Sequence, residues 1–365
     1  MNSFAFINHP LSTQQFQSLE LRLLKMLPKE VIEWGIKVAP PFQYLKIGPV
    51  SSTSGASIVG TGIICPWLPK HFVSQKEDQV LAKIREAILL GSRCGATLIG
   101  LGGFTSIPGS GGLRLAQETG IPLTSGNSYT AYLAIQGIRK AASLLGRELE
   151  TSTLTVLGAT GDIGSICSRV LAREVHKIIL VARSDPRLEK LKQDLEVGTG
   201  AKVEIMKRSQ AAARQSHIVL CVTSSLTTLL GDEDLLPGTI VCDVAYPANI
   251  MREVALRRTD VFLFEGGIAT FSGWHQLPIS QRKKLALFCP EGTMHGCLAE
   301  TLILSFENIR RSYSVGRGQI TERQLEEIGI LGERHGFSLA PFFCGGSKYE
   351  ERDFLKLREV ACSQA

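Results

Sequence analysis

Among the residues able to do chemistry in this sequence, Cys297 has the most suggestive surroundings. From Cys297-Leu298-Ala299-Glu300-Thr301-Leu302 to Ile309 the chain reads as a helix, with Leu298, Leu302, Phe306 and Ile309 on one apolar stripe. Pro290, Gly292 and Gly296 upstream are loop formers, which places the cysteine in the first turn of that helix. There the positive end of the helix dipole stabilises a thiolate, and His295 is close enough in sequence to assist. A thiolate so placed is a nucleophile for covalent catalysis. From the residue pattern alone, a small buried hydrophobe is the favoured reading. The other eight cysteines, at 65, 94, 167, 221, 242, 289, 344 and 362, have simple structural explanations; Cys221 and Cys242, for example, lie within apolar strands, and Cys167 follows a glycine loop on a helix. No pair forms C-x-x-C and the total of nine is odd, so a reduced protein is expected rather than a disulfide framework or a zinc site.

A glycine pattern supplies the second constellation. The apolar run Leu154-Thr155-Val156-Leu157 leads directly into Gly158-Ala159-Thr160-Gly161-Asp162-Ile163-Gly164-Ser165. Glycines at this G-x-x-G-x-x-G spacing permit a tight turn, let backbone amides approach a pyrophosphate and allow close helix–strand packing. The N–H groups of the following helix then face the phosphates. Gly158, Ala159, Thr160, Gly161, Asp162, Ile163 and Gly164 are therefore the candidate dinucleotide cradle, with a glycine turn lacking any nucleotide as the plain alternative. The next strand ends in Val181-Ala182-Arg183-Ser184, where an NAD enzyme would usually carry a carboxylate for the ribose hydroxyls. Arg183 instead offers a fork for a 2′-phosphate, Ser184 a donor and Arg187 a second cation, so NADPH is the expected cofactor. A solvated Arg183 is the alternative. Asp185-Pro186 reads as N-cap and first residue of the next helix.

The elements that must position these groups follow from periodicity. In the N-terminal part, Phe4–Asn8, Tyr44–Val50, Ser57–Cys65, Thr97–Leu101 and a short run near Ile121 read as strands. Helices are expected at about 14–26 and 129–145, and Val80, Leu81, Ile84, Ala87 and Ile88 share one helical face between them. From Thr153 the apolar runs 154–157, 178–181, 203–206, 218–222, 240–244 and 261–264 alternate with helical or turn-rich stretches. Short, wholly apolar strands spaced in this way imply a parallel sheet covered on both faces. Beyond about residue 273 the chain looks mainly helical, with Thr321 and Gln324 forming a capping box for a helix that stops near Gly336. The fold class is thus α/β: an N-terminal α/β domain (1–146), a central Rossmann-like parallel sheet (147–272) and a helical C-terminal region carrying Cys297 (273–365).

Composition narrows the partners. With 365 residues, 44% of them apolar, a large core is easily built and global disorder is excluded. A net charge of +6 is too mild and dispersed for a nucleic-acid binder, though it suits an acidic partner or a phosphorylated ligand. The uncharged run from Cys94 to Leu113 holds seven glycines and Pro108 and makes a poor membrane span. With no basic segment followed by an apolar one at the N-terminus, a cytoplasmic protein without a transmembrane segment is expected.

Several stretches together resemble the long-chain acyl-[acyl-carrier-protein] reductases that make fatty aldehydes in cyanobacteria. They are Gly102-Gly103-Phe104-Thr105-Ser106-Ile107, Gly126-Asn127-Ser128-Tyr129-Thr130-Ala131-Tyr132, the 158–165 glycine loop, Cys297-Leu298-Ala299-Glu300 as the C-x-A-E nucleophile segment, Gln319-Ile320-Thr321 and Arg334-His335-Gly336-Phe337. The resemblance runs in one order from Phe4 to about Pro341. It implies an N-terminal domain that handles the acyl substrate and a thioester reductase in which Cys297 accepts the acyl group from acyl-carrier protein, with NADPH as reductant and an aldehyde as product. An acyl-CoA donor and an aldehyde-consuming partner enzyme belong to the same picture. Since ligands of such folds lie across the carboxyl ends of the parallel strands, Cys297 has to approach that edge. In the two N-terminal motifs, Asn127, Ser128 and Thr130 are candidates to donate to the thioester oxygen, or simply to cap a helix. Core packing is expected for Tyr129 and Tyr132, and a helix-end or surface role for His335. Two other readings stay open: a shikimate- or amino-acid-dehydrogenase-like oxidoreductase, for which no Lys/Asp pair is evident in the first domain, and a protein that binds NADPH without turnover.

Overall fold

A computed structural model describes residues 2–19, 28–250 and 252–362. Contacts divide the chain into two units: residues 1–129, 269–319 and 326–338 form unit 1, and residues 130–268, 320–325 and 339–365 form unit 2. The division differs from the three consecutive segments expected. The 273–365 stretch is shared between both units instead of making a body of its own.

Unit 1 is built on a five-stranded sheet of β1 (Asn2–Asn8), β2 (Phe42–Ser51), β3 (Ser57–Ile64), β4 (Leu98–Leu101) and β5 (Leu123–Thr124), in the order β2-β3-β1-β4-β5. Only β2 runs antiparallel to its neighbour. The parallel strands are short and apolar because both faces are covered; β4 is buried at all of its residues. The helix Glu77–Arg93 buries Val80, Leu81, Ile84, Ala87 and Ile88, the face its periodicity marks. The helix Gly296–Phe306, which carries Cys297, is buried along almost its whole length from Leu298 onward, as expected of a helix apolar all round. It packs on β1 and β4. At the crossing, a Cβ on Gly100 of β4 would meet Thr301 Oγ1 at 2.0 Å, so only glycine admits the helix there.

Unit 2 holds six strands, β6 (Thr153–Leu157), β7 (Lys177–Val181), β8 (Lys202–Ile205), β9 (Ile218–Cys221), β10 (Ile240–Asp243) and β11 (Phe262–Glu265). All pair parallel, in the order β11-β10-β9-β6-β7-β8. Renumbered from its first strand, this is the 3-2-1-4-5-6 order of the doubly wound dinucleotide fold, with its switch point between β6 and β9. The α/β class and the Rossmann-like sheet are as read from the sequence. A smaller sheet of β12 (Ile268–Phe271), β13 (Thr293–His295) and β14 (Phe337–Leu339), in the order β13-β12-β14, was not foreseen in the C-terminal region. Three-residue strands carry too little alternation to be legible in a sequence.

Of the helix expected at 14–26, the structure has Thr13–Ser18, and residues 20–27 lie outside the described residues. The tail beyond Pro341 joins unit 2: Phe342, Leu357 and Ala361 are core residues, and Phe342, Tyr349 and Phe354 set their rings edge-on against Phe262 of β11. No helix among the described residues is long and apolar enough to cross a membrane.

Candidate active site

Cys297 is the second residue of its helix, after the N-cap His295 and Gly296, as the sequence reading placed it. Backbone N–H groups of Gly103, Cys297 and Leu298 reach the sulfur and favour its ionised form. Desolvation wins nevertheless, although Cys297 as a whole is only half-buried. It pushes the Cys297 thiol up to about 12, and the nearby Glu300 carboxylate pushes in the same direction. The expected lowering by the helix dipole is therefore corrected: desolvation in the first turn outweighs the amides. His295, expected to assist, has its Nε2–H directed at the Phe288 carbonyl at 3.0 Å, and burial holds its pKa below the usual range.

Both N-terminal motifs converge on this cysteine within unit 1. Gly103, with φ of 55°, supplies the donor just named. The next N–H, of Phe104, is instead taken by His9 Nε2 at 3.0 Å, while His9 Nδ1–H donates to the Pro10 carbonyl. From the other side comes the turn before the helix Asn127–Leu145. A Cβ on Gly126 would lie 2.1 Å from Cys297 Cα, and its φ of 73° also belongs to glycine. Of the candidate donors in that motif, Ser128 neither caps the helix nor faces the sulfur, because its hydroxyl donates to Glu300 Oε2 at 2.6 Å. Ser125 Oγ accepts the Asn127 N–H at 3.4 Å, and the first-turn N–H of Tyr129 goes to Glu300 Oε2 at 2.8 Å. Tyr129 is core, packed against Gly332 and edge-on to Phe337. Thr130 and Tyr132 fall in unit 2, where Tyr132 packs against the core.

The glycine loop has the form a dinucleotide cradle needs. Gly158 has φ of 95°, and a Cβ there would lie 2.8 Å from the Val222 carbonyl. Its N–H donates to Val181 O at 2.8 Å, and Gly161 N–H donates back to Gly158 O at 2.9 Å, closing the turn. Gly161 is the N-cap of the helix Asp162–Leu171, whose first amides, from Asp162, Ile163 and Gly164, have no carbonyl ahead of them in the helix. Gly164 brings that helix so near that a Cβ would sit 2.3 Å from Gly158 O. Ala159 is buried beneath the turn, and Thr160 half-buried in it. Arg183 is exposed just past β7 and joins no ion pair among the described residues. Arg187 Nε donates to Ser184 Oγ at 3.2 Å, and Asp185 pairs with Lys207 at 3.7 Å. The N-cap of the helix Asp185–Gly198 is Ser184, one residue earlier than expected, with Asp185 and Pro186 inside the first turn.

Comparison with known proteins bears on both units. The long-chain acyl-[acyl-carrier-protein] reductase of Synechococcus elongatus is 30% identical over 346 residues, covering 92% of this chain and 98% of that protein. The chain belongs to the long-chain acyl-[acyl-carrier-protein] reductase family. It is an oxidoreductase. The aminotransferase PigE of a Serratia species is 26% identical over 373 residues; the match takes in 97% of this chain but spans only 42% of PigE. A family profile described as Shikimate / quinate 5-dehydrogenase matches residues 139–265, all within unit 2. Among solved structures, shikimate 5-dehydrogenase of Listeria monocytogenes is 14% identical and covers 79% of this chain and 91% of that one, with a TM-score of 0.35. The Δ1-pyrroline-2-carboxylate reductase of Thermococcus litoralis is also 14% identical, covering 33% and 41%, with a TM-score of 0.27.

Some residues of this reductase were invisible or misread in its sequence. His9 carried no motif signal, since its partner Phe104 lies 95 positions away. His335 is not at the surface: it is 2% exposed, its Nε2–H donates to Glu307 Oε1 at 2.7 Å, and its Nδ1 meets Ser52 Oγ at 3.0 Å. Asp243, at the carboxyl end of β10, accepts N–H groups of Ala245, Asn249 and Ile250 at 2.8–3.0 Å and so shapes the following loop. Burial raises its pKa to about 7.

Proposed function

We propose that this protein reduces a long-chain fatty acyl thioester, carried by acyl-carrier protein or by CoA, to a fatty aldehyde through an acyl group held on Cys297, with NADPH as cofactor. The observation that carries the reading is the convergence of the Gly103 N–H, the Gly126 turn and a helix N-terminus on the one cysteine. In the first half-reaction the Cys297 S–H gives up its proton, Sγ bonds to the acyl carbon, and the carrier sulfur leaves with a proton. The Gly103, Cys297 and Leu298 amides are placed to favour negative charge developing at the sulfur and at the carbonyl bonded to it. NADPH, held by the Gly158–Gly164 turn, would supply a hydride to the acyl carbon. As that carbon's bond to Cys297 Sγ breaks, the aldehyde is released and the sulfur regains a proton.

The Gly158–Gly164 cradle fits the pyrophosphate of a dinucleotide, because the closest approaches to this loop leave no room for a Cβ. Arg183 and Arg187 are the cations for a 2′-phosphate, with Ser184 beside them. The Shikimate / quinate 5-dehydrogenase match stops at residue 265, short of Cys297, so it supports the cofactor half of the reading without bringing its own substrate.

The deciding experiment incubates the full chain, without NADPH, with a long-chain acyl thioester and weighs the protein. One acyl group should appear on Cys297. Cys297→Ala should lose both adduct and aldehyde while binding NADPH as before. Cys297→Ser should remain very poor, because a hydroxyl is a weaker nucleophile than a thiol and an oxygen ester accepts hydride less readily. Aldehyde formation by the alanine variant at a comparable rate would discard the acyl-enzyme.

A further inference from the structure

Glu300 lies one helical turn after Cys297 and is fully buried, and no cation pairs with it among the described residues. A carboxylate in such a place is expensive unless every oxygen is satisfied. Here both are. Oε1 accepts from the hydroxyls of Thr124 and Ser314, the latter at 2.5 Å. Oε2 accepts from Ser128 Oγ at 2.6 Å and from the Tyr129 N–H at 2.8 Å. Thr124, Ser128 and Tyr129 bracket Gly126, the residue whose backbone rests on Cys297. The Gly126 N–H is itself held by Thr124 Oγ1 at 3.2 Å.

We propose that Glu300 is a positioning residue of the Cys297 centre: its buried carboxylate ties the strand end and the helix start on either side of Gly126 to the cysteine's own helix, and its charge bears on the sulfur. This rests on the reading of Cys297 as the acylated residue. Three hydroxyls and one amide occupy both carboxyl oxygens, so the side chain holds the turn in place. A negative charge one turn away also favours the neutral forms of the sulfur, thiol and thioester, over the thiolate. That keeps the resting cysteine protonated and disfavours premature loss of the acyl group as a thiolate. The other titratable groups around this turn are His295, bound to Phe288 O, His9 behind Phe104, and Tyr313, whose phenol is raised by burial and by Glu300.

The test separates charge from reach in the full chain. Glu300→Gln keeps the length; its Nε2 can turn toward Thr124 and Ser314, whose hydroxyls can reverse and accept, while its oxygen still receives the Tyr129 N–H. Alkylation of Cys297, followed by peptide mass, should then be about tenfold faster at pH 8, the thiol's midpoint falling by on the order of one pH unit. Glu300→Asp keeps the charge but is one methylene short: alkylation should keep its high midpoint while acylation by the thioester slows at least tenfold. Should either variant fail to fold, Ser128→Ala removes one donor alone; acylation should slow severalfold and the alkylation midpoint should not fall. An alkylation profile of Glu300→Gln superimposable on that of the wild type, or wild-type acylation by Glu300→Asp or Ser128→Ala, overturns the proposal. Alkylation needs no substrate, so it still decides the Glu300–Cys297 coupling if Cys297→Ala goes on making aldehyde and the thioester reading itself falls.

Discussion

At the end of β1, His9 is enclosed by Phe72 and Phe104, with ring centroids 5.1 and 5.8 Å away. Burial lowers its pKa from 6.5 to about 4, the Pro10 carbonyl offsetting only part of the effect. The unfolded chain therefore takes up a proton at this position below pH 6.5, and the folded chain does so only near 4. The sign follows: stability is fully present above 6.5 and is lost as pH falls toward 4, by about 3 kcal/mol from this group. Urea unfolding at pH 7 and 4.5 should show that loss, and His9→Gln, which keeps an acceptor for the Phe104 N–H, should reduce it. Gly126 permits a second test at this scale. Gly126→Ala sets a methyl against the Cys297 backbone and forces an alanine into a left-handed conformation. A stability loss of about 1–3 kcal/mol and a severe drop in acylation of Cys297 are expected, measured by thermal unfolding and adduct mass. An alanine variant that acylates normally would show that the contact does not matter.

At the scale of elements, the turn between β6 and its helix and the exposed end of β7 divide the work proposed for the cofactor. On this proposal the turn, being backbone-built, is indifferent to NADH or NADPH, and Arg183 is the residue proposed to choose between them. Arg183→Ala should weaken NADPH roughly ten- to a hundredfold, as loss of a charge-assisted phosphate contact does, and leave NADH nearly unchanged. Titration of both nucleotides by fluorescence measures this, and equal weakening of the two would remove Arg183 from the site. Gly164→Val should impair both nucleotides together, because its side chain would push the helix off the Gly158 carbonyl.

Across the whole molecule, the tail after Pro341 completes the core of unit 2 beside β11, an edge strand of its sheet. Leu357 is 3% exposed there, and Leu357→Ala should cost about 2–5 kcal/mol, read from denaturant midpoints. A negligible change would mean that the tail merely lies on the unit. The net charge of +6 bears on the proposed donor. An acidic carrier protein should be held partly by long-range attraction, so KM for acyl-carrier protein should rise with ionic strength more steeply than KM for acyl-CoA. A flat salt response for the carrier would argue against electrostatic docking.

Local pattern was enough for the α/β class, the six Rossmann strands within a residue or two of their ends, the glycine turn after β6 and the place of Cys297 at the head of its helix. Each of these is written in neighbouring residues: apolar runs of strand length, glycines at turn spacing, a helix stripe after loop formers. The capping box of Thr321 and Gln324 is of the same kind, with Gln324 N–H donating to Thr321 Oγ1 at 3.2 Å. Tertiary structure alone decided the state of the sulfur and the role of the motifs around it. The dipole argument for Cys297 was sound for an exposed first turn, but the amount of water left there depends on what packs over it. Ser128 looked like a cap because its partner, Glu300, lies 172 positions away. His335 does follow the helix Glu322–Arg334, but it is buried there, because Glu307 and Ser52 come to it from 28 and 283 positions away. Burial and long-range hydrogen bonds are properties of the assembled chain, and no local pattern carries them.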